Sequence, residues 1–181
     1  SAASRTAMLG RKTKGEVHLT IGPVKSGKTT ELLRCLNRFV IAGRKALCIN
    51  RMKNRLRKEQ SIEIRESNEL PQAQEIIGKY DVVGVDDGHS YKGIAQWADQ
   101  LANNNVIVFV SSLDDDKEHN AYPEIVELFP LCERCNKLES VCPFTGLSAH
   151  FTTVEGGKLF PISRLGIANQ RSIDLALRRF A

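Results

Sequence analysis

Gly22-Pro23-Val24-Lys25-Ser26-Gly27-Lys28-Thr29 fits G-x-x-x-x-G-K-[ST], the pattern of a phosphate-binding loop. Working outward, Val17, Leu19 and Ile21 alternate with polar residues just before it, as in a strand. Thr30 to Ala42 has helical spacing, with Leu32, Leu33, Leu36, Phe39 and Val40 on one side. A strand, a glycine turn and a helix start gather several backbone N–H groups around one point. The positive end of the helix adds to the attraction for phosphate. The expected nucleotide cradle is therefore Gly22, Pro23, Val24, Lys25, Ser26, Gly27, Lys28, Thr29 and Thr30. Lys28 would reach the terminal phosphates of ATP, and the Thr29 hydroxyl would hold Mg²⁺. The bland alternative is a structural glycine turn. With average residue usage, four fixed positions arise by chance in a chain this long on the order of once in a hundred, before the flanking strand and helix are counted.

The rest of the chain alternates in the same way. Lys45 to Asn50 reads as a second strand and Pro71 to Lys79 as a short helix. Asp81-Val82-Val83-Gly84-Val85-Asp86-Asp87 is an apolar strand ending in acid. A buried parallel strand of this kind delivers a carboxylate beside the phosphate loop, so Asp86 is the second Mg²⁺ residue expected. Asp87 is placed to act as general base if it reaches a substrate hydroxyl. Taken without the upstream loop, both would be ordinary strand-end acids. Ile94 to Asn103 is a helix, and Val106 to Val110 a core strand ending at Ser111-Ser112-Leu113. Asp114-Asp115-Asp116 follows as a polar loop, or as a cation site beside the nucleotide. The fold class is α/β, a P-loop NTPase-like, mostly parallel sheet flanked by helices.

Composition sets the frame. With 181 residues, 41% hydrophobic content and a formal charge of +5, the chain suits one domain with a small appendage and an anionic ligand or partner. Five cysteines do not make a secreted disulfide framework, and a reducing compartment is the expectation. No apolar run approaches the ~20 residues of a membrane span. Residues 1–14 form a basic, acid-free segment, read as flexible or as the remnant of an organellar targeting sequence. A mitochondrial or other organelle matrix is thus one expectation, the cytoplasm the other. Arg51 to Lys58 is a basic run, a solvated loop or a contact for phosphate or RNA. His18 and His89 read first as structural or surface histidines, His89 with a proton-transfer role as the alternative. Ala168 to Phe180 is an amphipathic helix with Ile173, Ala176, Leu177 and Phe180 on one side. It would close the domain, or dock a protein partner or an RNA backbone.

From Gly15 to about Gly166 the chain resembles the type II, cellular cytosolic kind of thymidine kinase. Gly22-Pro23 through Thr30-Glu31-Leu32 looks like that family's phosphate loop and first helix. Asp86-Asp87-Gly88-His89-Ser90-Tyr91 is similar to its Asp-Glu-Gly-Gln-Phe-Phe. Leu113-Asp114 opens the segment that becomes its lid, and Leu128-Phe129-Pro130-Leu131 with Lys137-Leu138 keeps the spacing into its small zinc-binding part. The resemblance implies transfer of the ATP γ-phosphate to the 5′-hydroxyl of deoxythymidine, with Asp87 as catalytic base. It also implies a lasso around the thymine base, with substrate contacts from Val154, Gly156, Gly157 and Phe160, and stacking by Tyr91.

The departures point to a degenerate kinase. Asp87 is one methylene shorter than the family's glutamate, and a base misplaced by ~1 Å can lose on the order of 100-fold in rate. Asn54 and Leu56 stand where the family has an aspartate and an arginine. Asp115 to Pro123 lacks the lid's aromatic and arginine. The family's zinc positions fall on Cys142, Thr145, Ser163 and Gly166, one thiol of four, so zinc is expected to be absent. Cys132-Glu133-Arg134-Cys135 is a decoy placed where the family has helix, although Cys132, Cys135 and Cys142 with His119 or His150 would be a rebuilt ligand set. The expected organisation is a basic segment (1–14), an α/β nucleotide-binding domain (15–131), a lasso-type subdomain with most zinc ligands lost (132–166) and a terminal helix (167–181). Two functions compete. One is a nucleotide-binding structural or regulatory subunit, in an oligomer or larger assembly, with weak or no transfer. The other is an active thymidine kinase. A nucleic-acid-associated protein using its basic faces is a third.

Overall fold

A computed structural model of the protein describes residues 14–51 and 61–180, and in the last helix it describes side chains only as far as Arg171 and at Arg179. The order is β1 (Glu16–Ile21), α1 (Lys28–Ile41), β2 (Ala46–Asn50), β3 (Glu63–Glu66), β4 (Val82–Val85), α2 (Ile94–Asn103), β5 (Ile107–Ser112) and α3 (Pro123–Leu128). There follow β6 (Arg134–Lys137), β7 (Ser140–Val141), β8 (Ser148–Ala149), β9 (Phe151–Glu155), β10 (Lys158–Ile162) and α4 (Arg164–Phe180). Asn54 and Leu56, the rest of the basic run from Lys53 to Lys58, and residues 1–13 lie outside the described residues. So do the side chains of Ile173, Ala176 and Leu177, and that of Phe180.

Six strands form one sheet in the order β3-β2-β4-β5-β1-β6, and all five pairings are parallel. Both faces of such a sheet are covered, which is why its central strands are apolar runs and not alternating ones. Every residue of β2 and β4 is buried. On one face Leu19, Leu47, Val83, Val85 and Val108 pack with Ile94, Ala98 and Leu101 of α2. On the other, Cys48, Val82 and Ile107 pack with Leu32 and Leu36 of α1. Gly84 lets α1 lie this close: a Cβ there would sit 2.7 Å from Leu36 Cδ1 and 3.0 Å from Leu32 Cδ1.

The sheet corrects the expected organisation in three places. β6 pairs with β1 (His18 beside Arg134, Thr20 beside Asn136), so the main sheet runs past the boundary expected at residue 131. Cys135 accordingly lies on an exposed edge strand and not in a helix, and Cys132 precedes that strand, its thiol donating to Leu128 O at 3.2 Å. The helix expected from Pro71 to Lys79 shrinks to one 3₁₀ turn, Ala73–Glu75, closed by a reciprocal Gln72–Glu75 cap. Gly78, with φ of 78°, then turns the chain towards β4.

Beyond the sheet, two short hairpins carry the C-terminal part. β7 pairs with β8, and β9 with β10 around a Gly156-Gly157 turn. α4 starts at Arg164, four residues before the sequence spacing shows it. Ser163 supplies the start: its hydroxyl accepts the Gly166 N–H at 3.1 Å, and its carbonyl accepts that of Ile167 at 3.0 Å.

Because Leu32 and Leu36 already touch Gly84, Gly84→Val is expected to lower unfolding stability by about 1–3 kcal/mol through overpacking. A urea denaturation midpoint indistinguishable from that of the unaltered chain would show that α1 does not rest on this glycine.

Candidate nucleotide site

The phosphate loop lies where the sequence places it, between β1 and α1. Gly27, at φ 86°, is the residue before α1 and turns the chain into the helix in a left-handed conformation that glycine adopts without strain. Lys25 takes the same region at φ 60°. Lys28, almost fully buried, donates from Nζ to Pro23 O at 2.5 Å and to Ser26 Oγ at 3.3 Å. The lysine ammonium is therefore held over the loop's own turn. Val24, Lys25, Ser26, Gly27, Lys28, Thr29 and Thr30 wall one side of a cavity of about 500 Å³. Asp87, His89, Ser90, Leu113 and Leu159 wall the other.

Asp86 sits beneath this cavity, 1% exposed. A buried carboxylate is costly unless hydrogen bonds replace its water. Thr29 Oγ1 donates to it at 3.1 Å, Ser111 Oγ to Oδ1 at 2.8 Å, and the Asp87 N–H to Oδ1 at 3.2 Å. Thr29 and Asp86 thus present adjacent hard oxygen donors, the chemistry Mg²⁺ selects. Ser111, through its bond to Asp86, belongs to this site, and sequence reading left it without a role. β5 runs between β1 and β4, so its last residues fall between the loop and the acid. Two serines ending an apolar strand were the available signal.

Asp87 lines the cavity with its backbone in the left-handed region, φ 53° and ψ 49°. Aspartate tolerates that region better than most residues, at a cost of order 1 kcal/mol. His89 packs on Tyr122 with ring centroids 4.5 Å apart, and its Nδ1 lies 3.1 Å from Ser112 Oγ. The Ser112 hydroxyl already donates to Leu113 O at 2.7 Å, so Nδ1 carries the hydrogen and Nε2 is the acceptor of the neutral ring. Burial lowers the His89 pKa, and Asp87 opposes that shift.

Not every expected contact reaches the cavity. Tyr91 is 1% exposed, packed in the core with its hydroxyl on Ser67 O at 3.0 Å, so it offers no face to a base. Ser90, beside it, lines the cavity instead. Val154, Gly156 and Gly157 form the exposed end of the β9–β10 hairpin, while Leu159 supplies the cavity wall. Phe160 lies under the Lys25 ammonium, 5.2 Å from the ring centroid. Further along the same hairpin, Thr152 Oγ1 accepts the Val24 N–H at 3.1 Å, and from β7 Ser140 donates to Lys25 O at 3.1 Å. These two clamps on the loop were not legible in the sequence. Asp114 and Asp115 are tied to Lys137 and His119 at 2.8 and 2.6 Å, and Asp116 accepts the N–H groups of Glu118 and Asn120. The acidic stretch is a folded turn beside the cavity.

The four positions implied for zinc do converge. Thr145 Oγ1 lies 2.9 Å from Ser163 Oγ, which also accepts the Gly166 N–H, and a Cβ on Gly166 would lie 3.3 Å from Cys142 Sγ. One thiol, two hydroxyls bonded to each other and a glycine do not make a zinc ligand set. Cys132 and Cys135 do not complete one, since no group of three metal-ligating residues occurs among the described residues.

A sequence profile described as thymidine kinase matches residues 15–159. The chain is 31% identical over 136 residues to the thymidine kinase of sheeppox virus (strain KS-1), covering 71% of this chain and 76% of that one. It is 33% identical over 156 residues to the thymidine kinase of Amsacta moorei entomopoxvirus, covering 78% and 86%. With the cytosolic thymidine kinase of Cricetulus griseus it shares 34% over 140 residues, 72% of this chain and 59% of the other.

Two outcomes are expected from this geometry. The unfolded chain binds a proton at His89 near pH 6.5 while the folded chain resists it. Stability contributed by the neutral ring is therefore complete above that pH and lost as pH falls through it towards the lower folded value. His89→Gln should accordingly flatten the fall in Tm between about pH 7.5 and about pH 5.5, and an unchanged profile would remove His89 as the cause. Separately, a zinc chelator should leave Tm unchanged, because no complete ligand set supports the Cys142 cluster. A chelator-induced fall would show a structural metal.

Proposed function

The chain belongs to the thymidine kinase family, and we propose that it binds Mg·ATP while transferring the γ-phosphate to deoxythymidine weakly or not at all, serving as a structural or regulatory subunit of a larger assembly. The observation that carries this reading is an asymmetry within one cavity. At its phosphate end, Lys28, Thr29 and Asp86 stand together with their hydrogen bonds made. At its other end, the lining residues His89, Ser90, Leu113 and Leu159 include no Phe, Tyr or Trp among the described residues. A nucleobase gains about 1–3 kcal/mol from an aromatic stacking partner, so deoxythymidine would be held loosely.

The roles follow from position. Backbone N–H groups of residues 22–30 and the Lys28 ammonium would take the phosphates, and Thr29 with Asp86 would hold Mg²⁺. That ion, when bound, neutralises charge on the phosphate oxygens. Asp87, lining the same cavity, would accept the proton of the 5′-hydroxyl, from a carboxylate shorter by one methylene than the glutamate of the family pattern. The second reading, an active thymidine kinase, is favoured by one observation: Asp87 and Lys28 face a common space.

Purified protein with Mg·ATP and labelled deoxythymidine separates the two. ATP should bind in equilibrium dialysis, and Lys28→Ala should abolish that binding while Tm persists. Turnover should fall at least about 100-fold below the 1–100 s⁻¹ typical of kinases. Turnover within that range, lost in Asp87→Asn, would establish the active enzyme. Asparagine keeps the left-handed backbone while removing the base, so the loss would not reflect strain.

A further inference from the structure

α1 packs mainly on β2, β4 and β5, and beside it, over the same face of β1 and β6, a cavity of about 380 Å³ lies among the described residues. Strand register sets its floor. Phe109 of β5, His18 of β1 and Arg134 of β6 stand side by side in one row, with Thr20 and Asn136 in the next. His18 tilts against Phe109 at 4.9 Å between centroids, and Phe39 of α1 packs on Phe109 at 5.9 Å. The wall is the exposed side of α1, where Arg34 and Arg38 are one turn apart.

The charges there are unevenly matched. Glu31 is taken up by a bidentate bond from Arg34, both contacts at 2.7 Å. Arg38 and Arg134 line the same cavity, and among the described residues their guanidinium groups make no hydrogen bond or close ion pair, Arg38 acting on Glu31 only through its field. Three guanidinium groups and one carboxylate line the cavity, and a second carboxylate, Glu16, bonds His18 Nε2 at 2.8 Å at the edge of the floor, which leaves an excess of positive charge in a concave site floored by aromatic rings. A guanidinium fork matches phosphate and carboxylate oxygens in a way that a flexible ammonium does not. The volume falls within the range of small-molecule sites. No residue is shared between this cavity and the nucleotide cavity. Arg38 lies ten residues along α1 from Lys28, about 15 Å at the helical rise.

We propose that this cavity is a second ligand site for a small aromatic oxyanion, its ring against Phe109 and Phe39 and its anionic group between Arg38 and Arg134. The site stands apart from the kinase reading and does not depend on it. Phosphate esters and carboxylates share the required chemistry, so the test uses both.

Isothermal titration of the full chain with phenyl phosphate, and in a second arm with benzoate, should give a one-site isotherm in at least one arm. Preference for phenyl phosphate identifies a phosphate ester as the natural class, and preference for benzoate a carboxylate. Arg38→Ala with Arg134→Ala should weaken binding at least about 10-fold, the scale of one lost charge-assisted contact. Arg38→Lys with Arg134→Lys should weaken it less. Both arginines are solvent-exposed, so the fold survives these changes, and circular dichroism verifies it. Lys28→Ala should leave this binding intact. The proposal is overturned by no heat in either arm at about 10 mM probe, the weakest range the method reads. Loss of binding in Lys28→Ala, or full binding in the double alanine variant, would also overturn it. So would a changed sedimentation coefficient in that variant without any change in probe binding, which would make the face an interface between copies.

Discussion

The nucleotide site depends on one buried carboxylate. Asp86 ends β4, accepts from Thr29 at the start of α1 and accepts from Ser111 at the end of β5. Three elements from distant parts of the sequence are fixed relative to one another by these contacts. The hydroxyls of Thr29 and Ser111 offset part of the cost of burying this carboxylate. The carboxylate stands beside the loop where phosphates and Mg²⁺ would sit, and it would serve the cation there. The same residue that fixes these three elements would also carry the ligand chemistry, so the two could not be altered independently.

A second constraint acts from the other side of the loop. The phosphate loop is held to β9 by Thr152 and to the start of the β7–β8 hairpin by Ser140. Those hairpins are in turn tied to α4 through the Thr145–Ser163–Gly166 hydrogen bonds around buried Cys142. A chain of neutral hydrogen bonds, each worth about 1 kcal/mol, does the tethering here, and such bonds yield more readily than metal–thiolate ones. Mobility of the C-terminal part would thus be felt directly at Val24 and Lys25.

Much of this was legible in the sequence because backbone geometry writes itself into residue type. The loop needs glycine where φ is positive, buried parallel strands need unbroken apolar runs, and α2 shows its spacing from Ile94 to Asn103. Side chains that act across the fold leave no such trace. Ser111 and Thr152 are common residues in unremarkable positions, and only strand order brings them to Asp86 and Val24. β6 was missed for a different reason. Arg134-Cys135-Asn136-Lys137 is polar throughout and exposed, an edge strand recruited by pairing with β1 and not by burial. Tyr91 was misplaced because an aromatic next to a site reads as a stacking platform, whereas here it anchors the turn beneath the site.

The two ends of the cavity also differ in how easily they change during divergence. Phosphate recognition is built from main-chain N–H groups and a helix start, which survive most substitutions outside the glycines and Lys28. Base recognition requires particular side chains at particular distances, so single replacements remove it. In this chain the cavity wall away from the loop carries Ser90 and Leu159 with an acidic turn nearby, while the loop end holds Gly27, Lys28 and Thr29 with Asp86 behind them. A protein drifting from catalysis towards a binding or scaffolding role would diverge in that order, because nucleotide binding still stabilises the fold by mass action after transfer has ceased to matter. In such a protein the half of the site that is kept would be the half that contributes to stability.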